Sequence, residues 1–414
     1  MAEPRSLSRD ADFLKFWLGE TISDFGDQIT LLAVPLTAVI VLQASPFEMG
    51  LLAAAGTLPT ALFSLPAGVW VDRLARRPIL ITADIGRSLV LATIPIAFVL
   101  GALGLPQLYL VAFAAGTLSV FFTVAYQSYL PTLVGPAHLV DANGRMNASS
   151  SVAQMAGPSV AGVLVQIFTA PMPVVVDAVS FLGSVVGIAS IRRPEPTPVP
   201  RQRDMRAEIV EGLRALLGHP VLRAIVVGAA LSVFFYSAQL AIFLLYLSRE
   251  VELAPSVIGF VLAIGSIGAL LGAILAARVA RRIGIGPAFV LSALLMVLGF
   301  TGRAAFASPR ELAIPAIAAS QFVGFLGFSM VNVTNPAIRQ ALTPPALLGR
   351  VNASYRFLVW GTGPLGAVFG GALAEVIGLR PAVLLAGVAC AVILPIIVRS
   401  PLPRMRTLDR PAVA

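Results

Sequence analysis

Apolar segments of about 20 residues follow one another along the whole chain, separated by short polar stretches. A helix of that length crosses a hydrocarbon core of about 30 Å, and backbone polar groups in lipid must be satisfied within helices or closed barrels. Barrel strands would alternate in polarity over segments of about ten residues, and the sequence lacks that alternation. The pattern therefore predicts an all-α membrane protein with twelve transmembrane helices.

The longest polar stretch falls between the sixth and seventh apolar segments. It predicts an N-terminal six-helix bundle (1–191), a cytoplasmic connector (192–223) and a C-terminal six-helix bundle with a tail (224–414). Apolar residues recur at helical spacing between Met205 and Leu216, which predicts an amphipathic helix on the membrane surface. We place the spans at residues 16–42, 48–71, 79–101, 107–130, 147–169, 172–191, 224–247, 256–277, 286–307, 312–333, 354–378 and 381–399.

Two motifs each occur twice, and both pairs are separated by 205 residues. GRMNAS begins at Gly144 and GRVNAS at Gly349, while RLARR begins at Arg73 and RVARR at Arg278. The separation covers six predicted helices, an even number, so both copies of a motif lie on the same membrane face. This is typical of a parallel repeat, in which two related bundles can rock against each other and open a central cavity to either side.

Basic residues are distributed unevenly between the two membrane faces. Of the 29 lysines and arginines, only four lie in or beside the loops after odd-numbered spans: Arg249, Arg303, Arg310 and Arg380. Because cytoplasmic loops carry the excess of basic residues, both termini are predicted to be cytoplasmic, in a multi-pass protein of the plasma or inner membrane. The same bias accounts for the net charge of +9, so we expect no nucleic-acid partner.

The segment GVWVDRLARR, residues 68–77, resembles the loop 2–3 signature of the major facilitator superfamily, with Trp70 and Ala75 in place of the usual Leu and Gly. The resemblance implies the two-bundle fold and alternating access. It also implies that Asp72 helps to latch the bundles on the cytoplasmic side. The residues expected at this cytoplasmic gate are Gly68, Asp72, Arg73, Arg76, Arg77 and Arg145.

A second segment, GPSVAG at residues 157–162, resembles the Gly-Pro motif of the family's exporters, with its final Gly-Gly only partly kept. The segments SDFGDQ in span one and DAVSF in span six are similar to the branch that holds enterobactin and macrolide exporters. Proline interrupts helical hydrogen bonding, so we expect bends at Gly157-Pro158 and at Gly363-Pro364.

Three acidic residues share one face of the first predicted span. Glu20, Asp24 and Asp27 follow one another at spacings of four and three residues, and Asp177 lies in span six. Charged groups inside a bilayer are costly and usually face a cavity, where a carboxyl group exchanges protons. We predict these four residues as the proton or cation site. For Glu20, about one turn inside, the alternative is that its side chain extends to the cytoplasmic face, and for Asp177 the alternative is solvation at the membrane interface.

Asp84 and Arg87, three residues apart in span three, are interpreted as a local structural pair near the cytoplasmic surface. Polar and aromatic residues deep in other spans predict a large, mostly apolar cavity that suits amphipathic organic molecules. The residues expected to line it are Tyr126, Gln127, Tyr236, Gln239, Gln321, Asn332, Asn335 and Trp360.

Together these features predict a secondary active transporter, with proton-coupled efflux (antiport) of amphipathic small molecules, such as drugs or siderophores, by alternating access. An importer or lysolipid transporter of the same fold stays open. An ATP-driven pump is disfavoured because Lys15 is the only lysine, so a phosphate-binding GxxxxGK[S/T] loop is impossible. His138 and His219 lie in separate polar segments at the cytoplasmic rim, which disfavours an enzyme, and Cys390, the only cysteine, is interpreted as a packing residue. We expect no cofactor or bound metal, a monomer, and a carrier rather than a channel.

Overall fold

A computed structural model describes residues 7–195, 205–305 and 310–407, and the secondary structure in these ranges is entirely helical. The helices up to the connector are α1 (Ala11–Leu36), α2 (Pro46–Arg73), α3 (Arg76–Val99), α4 (Leu105–Val134), α5 (Leu139–Phe168) and α6 (Val174–Ala189). Those that follow are α7 (Met205–Gly218), α8 (Pro220–Arg249), α9 (Pro255–Ile283), α10 (Ile285–Ala305), α11 (Arg310–Leu342), α12 (Leu348–Trp360), α13 (Gly363–Ile377), α14 (Leu379–Ala389) and α15 (Ile393–Val398).

Helix occupies each of the predicted spans, so the predicted all-α membrane class is confirmed. In the described ranges, eleven helical stretches are long and apolar enough to cross a bilayer. The remaining predicted span, the sixth, holds α6, which is shorter at 16 residues. The eleventh span consists of α12 and α13 in succession, and the twelfth of α14 and α15 joined by a 3-10 turn.

Local sequence explains several helix ends. Asp10 precedes α1 and its carboxylate accepts hydrogen bonds from the backbone N–H groups of Asp12 and Phe13, which have no partner within the helix. Gly135 ends α4 with φ +76°, and Gly378 ends α13 with φ +88°. These left-handed conformations are readily accessible to glycine.

The two Gly-Pro pairs at which bends were predicted differ in whether the helix continues through them. Helix α5 continues through Gly157 and Pro158 without interruption. In the second repeat the helix is interrupted at Gly361 and Thr362, immediately before Gly363 and Pro364 begin α13.

The chain divides into two compact units. Unit 1 comprises Met1–Ala44, Ala55–Arg201 and Ala254–Phe260, and unit 2 comprises Ser45–Ala54, Gln202–Leu253 and Val261–Ala414. Within unit 1, α1 packs against α5 and α6, and α3 packs against α4 and α6. Within unit 2, α10 packs against α11, and α8 packs against α13 and α14. The arrangement in unit 1 brings α1, α3 and α6 together around the acidic residues of span one.

The predicted connector helix is present as α7, and it packs on α12. Leu216 is buried in a cluster with Leu222 and Val351. Gly212 approaches the backbone of Arg350 so closely that a Cβ atom there would collide with it. One face of α7 is therefore covered by other helices of unit 2, to which α7 itself belongs.

Candidate functional site

Five carboxylic acids and one arginine lie together inside unit 1, and we call this set the charged cluster. Helix α1 contributes Glu20, Asp24 and Asp27, one above another along a single face. The members from the other two helices are Asp84 and Arg87 on α3 and Asp177 on α6. The cluster thus joins the three helices that form the centre of unit 1.

Arg87 is held in place on several sides. Its guanidinium forms an ion pair with Asp84, one turn earlier on α3. The ring of Phe122 lies 4.4 Å from the guanidinium carbon and the ring of Phe181 lies 4.1 Å from it. Both members of the ion pair are buried. The interpretation of Asp84 and Arg87 as a pair is therefore correct, but the pair belongs to the buried centre of the bundle.

Helix α6 places a fully buried carboxyl group against α1. Asp177 Oδ1 accepts a hydrogen bond of 3.2 Å from Ser180 Oγ, whereas Asp177 Oδ2 has no hydrogen-bond partner. Further along α6, Ser184 Oγ donates to Glu20 Oε1 at 3.2 Å. Glu20 is buried, because α6 covers it, so the alternative that it reaches the cytoplasmic face is wrong. Interface solvation of Asp177 is excluded by its burial.

The close approach of α1 and α6 depends on glycine. A Cβ atom at Gly26 would collide with Asp177 Oδ1 and Ser180 Oγ. One at Gly19 would lie 3.1 Å from the Cα of Ser184. The absence of side chains at these two positions lets the carboxyl groups of α1 and α6 share one site.

The charge of the cluster is unbalanced. Arg87 interacts electrostatically with all five carboxyl groups: Glu20, Asp24, Asp27, Asp84 and Asp177. If all five were ionised, five negative charges would face one positive charge. Like charges in a low-dielectric environment disfavour one another, so such a site favours bound protons or cations.

The five acids differ in exposure. Glu20, Asp84 and Asp177 are buried, whereas Asp24 and Asp27 are partly accessible. The cluster thus combines two accessible carboxyl groups with three that are sealed between helices.

The predicted cytoplasmic gate has an unexpected partner, Glu195. Its carboxylate accepts hydrogen bonds from the backbone N–H groups of Arg76 (2.7 Å) and Arg77 (3.0 Å), and lies 3.5 Å from Arg76 Nη1. Ala75, which precedes α3, has no side chain that could cap the helix. A carboxylate from the chain beyond α6 therefore caps α3 and interacts favourably with the helix dipole. Sequence reasoning missed Glu195 because 118 residues separate it from Arg77.

The other gate residues have separate environments. The side chain of Asp72 lies outside the described residues, so its latch role stays a prediction. Gly68 is half-buried in α2, and Arg73 is exposed. Arg145 lies 3.5 Å from the Asp141 carboxylate and 3.3 Å from Ser8 Oγ, both within unit 1.

The eight predicted cavity residues differ in exposure, and two of them belong to unit 1 and six to unit 2. Gln127, Asn332 and Trp360 are exposed, while Gln321 is buried. Tyr126 is half-buried and stacks on Phe16 of α1. These positions follow from the exact rotation of each helix, which apolar segments of this kind leave undetermined.

Three of the eight, Gln239, Gln321 and Asn335, are buried within unit 2, and Gln239 is engaged in packing there. Gln239 is fully buried, and its amide nitrogen donates to the carbonyls of Phe300 (2.7 Å) and Val383 (2.9 Å). Its carbonyl oxygen accepts a 2.7 Å hydrogen bond from Arg303. All the hydrogen-bonding atoms of Gln239 are therefore engaged in packing α8 against α10 and α14.

Tyr236 and Asn335 also have partners within unit 2. Tyr236 stacks between Phe300 and Phe328, with ring centroids 5.1 and 5.5 Å away. The Asn335 amide nitrogen donates to the Tyr355 hydroxyl at 2.6 Å, and its oxygen accepts from Arg339 at 3.1 Å.

An apolar groove of about 730 Å³ runs along α1 and α6 within unit 1. Gly26 and Ser180, which touch Asp177, form part of its wall. None of the eight predicted cavity residues lines it. Its lining is Ile22, Phe25, Gly26, Ile29, Val176, Val179, Ser180, Leu182, Gly183 and Val186. In the described ranges, no group of three or more His, Cys, Asp and Glu side chains is placed to hold a metal ion.

Long apolar helices around a buried set of titratable groups define the protein as a multi-pass membrane transporter. The family model of the Major Facilitator Superfamily matches residues 16–365 and 225–412. The chain therefore belongs to the Major Facilitator Superfamily, as the sequence motifs indicated.

Relatives extend over almost the whole chain. The multidrug efflux pump Tap of Mycolicibacterium fortuitum is 30% identical over 93% of this chain and 94% of its own. The macrolide efflux protein A of Streptococcus pyogenes is 22% identical over 93% of this chain and 95% of its own. The resemblance to macrolide exporters is thereby confirmed.

Solved structures of the same fold have lower sequence identity. A bacterial homologue of the iron transporter ferroportin, in an inward-facing state, superposes with a TM-score of 0.78 at 16% identity, over 95% of this chain and 99% of that chain. The nucleoside transporter NupG gives a TM-score of 0.73 at 13% identity, over 94% of this chain and 98% of that chain. These likenesses describe the fold and leave the transported molecule open.

Proposed function

We propose that the protein is a proton-coupled exporter of amphipathic small molecules that works by alternating access. The observation that carries the proposal is the charged cluster of unit 1, where five carboxyl groups face one guanidinium. Carboxyl groups withdrawn from water take up protons to relieve mutual repulsion. A carrier that exposes such a site alternately to two compartments exchanges those protons for substrate.

Within this proposal the acids have distinct tasks. Asp27 and Asp24 are partly accessible and exchange protons with the aqueous side, while buried Glu20 and Asp177 hold them. Asp27 is the principal coupling residue, because its carboxyl group interacts with Arg87, Asp24, Asp84 and Asp177 together.

Export as the direction rests on the relatives, which are named as efflux proteins. Amphipathic substrates rest on the same relatives and on the apolar character of the bundles. We also propose that both termini are cytoplasmic and that the protein is a monomer. Its two bundles are joined by the 192–223 connector, and Asp72 latches them at the cytoplasmic gate. Bending at the Gly-Pro pairs would accompany the change in access.

The test uses purified protein in liposomes that enclose a pH-sensitive dye, with an imposed proton gradient. The probes are erythromycin, a macrolide, and ethidium, a lipophilic cation. We expect the parent protein to move the probes uphill with counter-movement of protons, and Asp27→Asn to reduce uphill movement to the rate of protein-free liposomes.

Glu375→Gln is the matched control, because Glu375 is an exposed acid on α13 of unit 2. It should transport like the parent. Uphill movement by Asp27→Asn at the parental rate would refute the coupling assignment. Probe movement driven in the same direction as protons would replace the exporter with an importer.

A further inference from the structure

We propose that Arg87 is the positioning residue of the coupling site: a fixed internal counter-ion that sets how many protons the charged cluster holds. The inference rests on the proposed function, because it concerns the same carboxyl groups. It extends that function to a residue of α3 that contributes no exchangeable proton.

The guanidinium is fixed by groups on α3, α4 and α6. Asp84 pairs with it from α3, Phe122 of α4 covers one side, and Phe181 of α6 lies against it. Arg87 Nε is buried and lacks a hydrogen-bond partner, whereas the Ser184 hydroxyl of α6 also lies beside the Asp84 carboxyl group. The guanidinium is thus incompletely satisfied although it is sealed between helices. Such an arrangement is costly for stability, which favours a role in the site.

Charged and titratable groups face Arg87 from each side. Helix α1 presents Glu20, Asp24 and Asp27, and α6 presents Asp177. From α4, Tyr126 faces Glu20 and Asp24, and from α5 Ser150 lies beside Asp24. Among the described residues, Arg87 is the cation that these carboxyl groups have in common.

Arginine and the carboxyl groups of the cluster differ in whether they exchange protons. An arginine side chain stays protonated in proteins, whereas a carboxyl group binds and releases a proton. A permanent positive charge in the cluster therefore stabilises one additional carboxylate. It makes the last proton easier to release, and so places proton release within the working pH range of the exporter.

The signs of the expected effects follow from electrostatics. Arg87→Gln removes the positive charge, so the carboxyl groups keep their protons to higher pH. Asp84→Asn removes a negative charge, so the remaining carboxyl groups release protons at lower pH. An opposite charge within about 4–6 Å changes proton affinity by about 1–3 pH units, and this is the upper range expected here because the direct contact of Arg87 is with Asp84.

The experiment measures ethidium–proton exchange in liposomes as a function of pH. We expect the midpoint for Arg87→Gln to shift upward by up to about 3 pH units, Asp84→Asn to shift downward, and Arg87→Lys to stay near the parent. Arg303→Met is the matched control, since it removes a buried arginine from unit 2, and its midpoint should equal that of the parent.

An unchanged midpoint for folded Arg87→Gln, or an equal shift in Arg303→Met, would overturn the inference. Should Arg87→Gln fail to fold, Asp84→Asn decides: a downward shift supports the inference, and an upward shift or no shift overturns it. A parent protein whose exchange does not respond to pH would instead refute the proposed function. The two failures are therefore distinguishable.

Discussion

Each unit buries an arginine among aromatic rings, but the partners of the two arginines differ. Arg87 in unit 1 is paired with Asp84 and faces four further carboxyl groups. Arg303 in unit 2 is 1% exposed and lies 4.2 Å from the ring of Phe300 and 4.9 Å from that of Phe243. Its hydrogen bond goes to a neutral amide, that of Gln239.

The two arginine sites differ in whether the surrounding groups can change their charge. Carboxyl groups gain and lose protons, whereas a guanidinium and an amide keep their charge state. The cluster around Arg87 therefore suits proton exchange, and the set around Arg303 suits permanent packing. The repeat supports this difference between the units. The residues that follow Asp27, Asp84 and Asp177 at an offset of 205 are Ser232, Phe289 and Ala382, none of which is acidic.

The largest effect on stability is expected in unit 2. Arg303→Ala removes a fully buried side chain, leaves a cavity among aromatic rings, and deprives the Gln239 oxygen of its donor. We expect a loss of about 3–5 kcal/mol in the free energy of unfolding, measured by thermal or denaturant unfolding in detergent.

Arg303→Met separates volume from charge, because it refills most of the space with an apolar side chain. It should recover more than half of the lost stability and keep the parental pH dependence of transport. A changed pH dependence in Arg303→Met would remove the contrast between the two units.

A smaller effect is expected where α1 crosses α6. Gly26→Ala places a methyl group against Asp177 and Ser180 and forces the helices apart. We expect it to lower the free energy of unfolding by about 1–3 kcal/mol and to impair proton coupling. Gly56→Ala is the control, since a Cβ atom at Gly56 has no neighbour within 4 Å. Equal unfolding midpoints for the two variants would contradict the close packing of α1 and α6.

The smallest effect on stability concerns Asp177 itself. Asp177→Asn replaces a buried carboxyl group, one oxygen of which has no partner, by a neutral amide of the same shape. We expect the variant to be at least as stable as the parent, with a gain of up to about 1 kcal/mol, while uphill transport falls. A variant that is clearly less stable, with transport intact, would assign Asp177 to structure alone.

The helical architecture could be predicted from sequence because lipid restricts the backbone to a few solutions. The apolar segments predicted the helices, the motif pairs 205 residues apart indicated two related halves, and the spacing of Glu20, Asp24 and Asp27 placed these acids on one face. The polarity pattern and the repeat were sufficient for each of these conclusions.

The remaining site depends on contacts between segments distant in the chain. Burial of Asp177 requires Gly26 on another helix, and the cap of α3 comes from Glu195 beyond α6. The partnership of Gln239 and Arg303 likewise joins α8 to α10. No local pattern encodes these pairings, so polar residues deep in the spans were assigned to a cavity although several of them serve packing.

The contrast between the charged cluster of unit 1 and the arginine site of unit 2 is tested most directly by infrared spectroscopy of the purified protein. A difference spectrum between about pH 5 and about pH 9 detects protonated carboxyl groups by their C=O absorption. The parent and the Glu375→Gln control should lose the same protonated-carboxyl signal as pH rises, whereas Asp27→Asn should lose distinctly less. If the signal is absent from the parent, or identical in Asp27→Asn, the charged cluster of unit 1 does not carry the protons and the account is wrong.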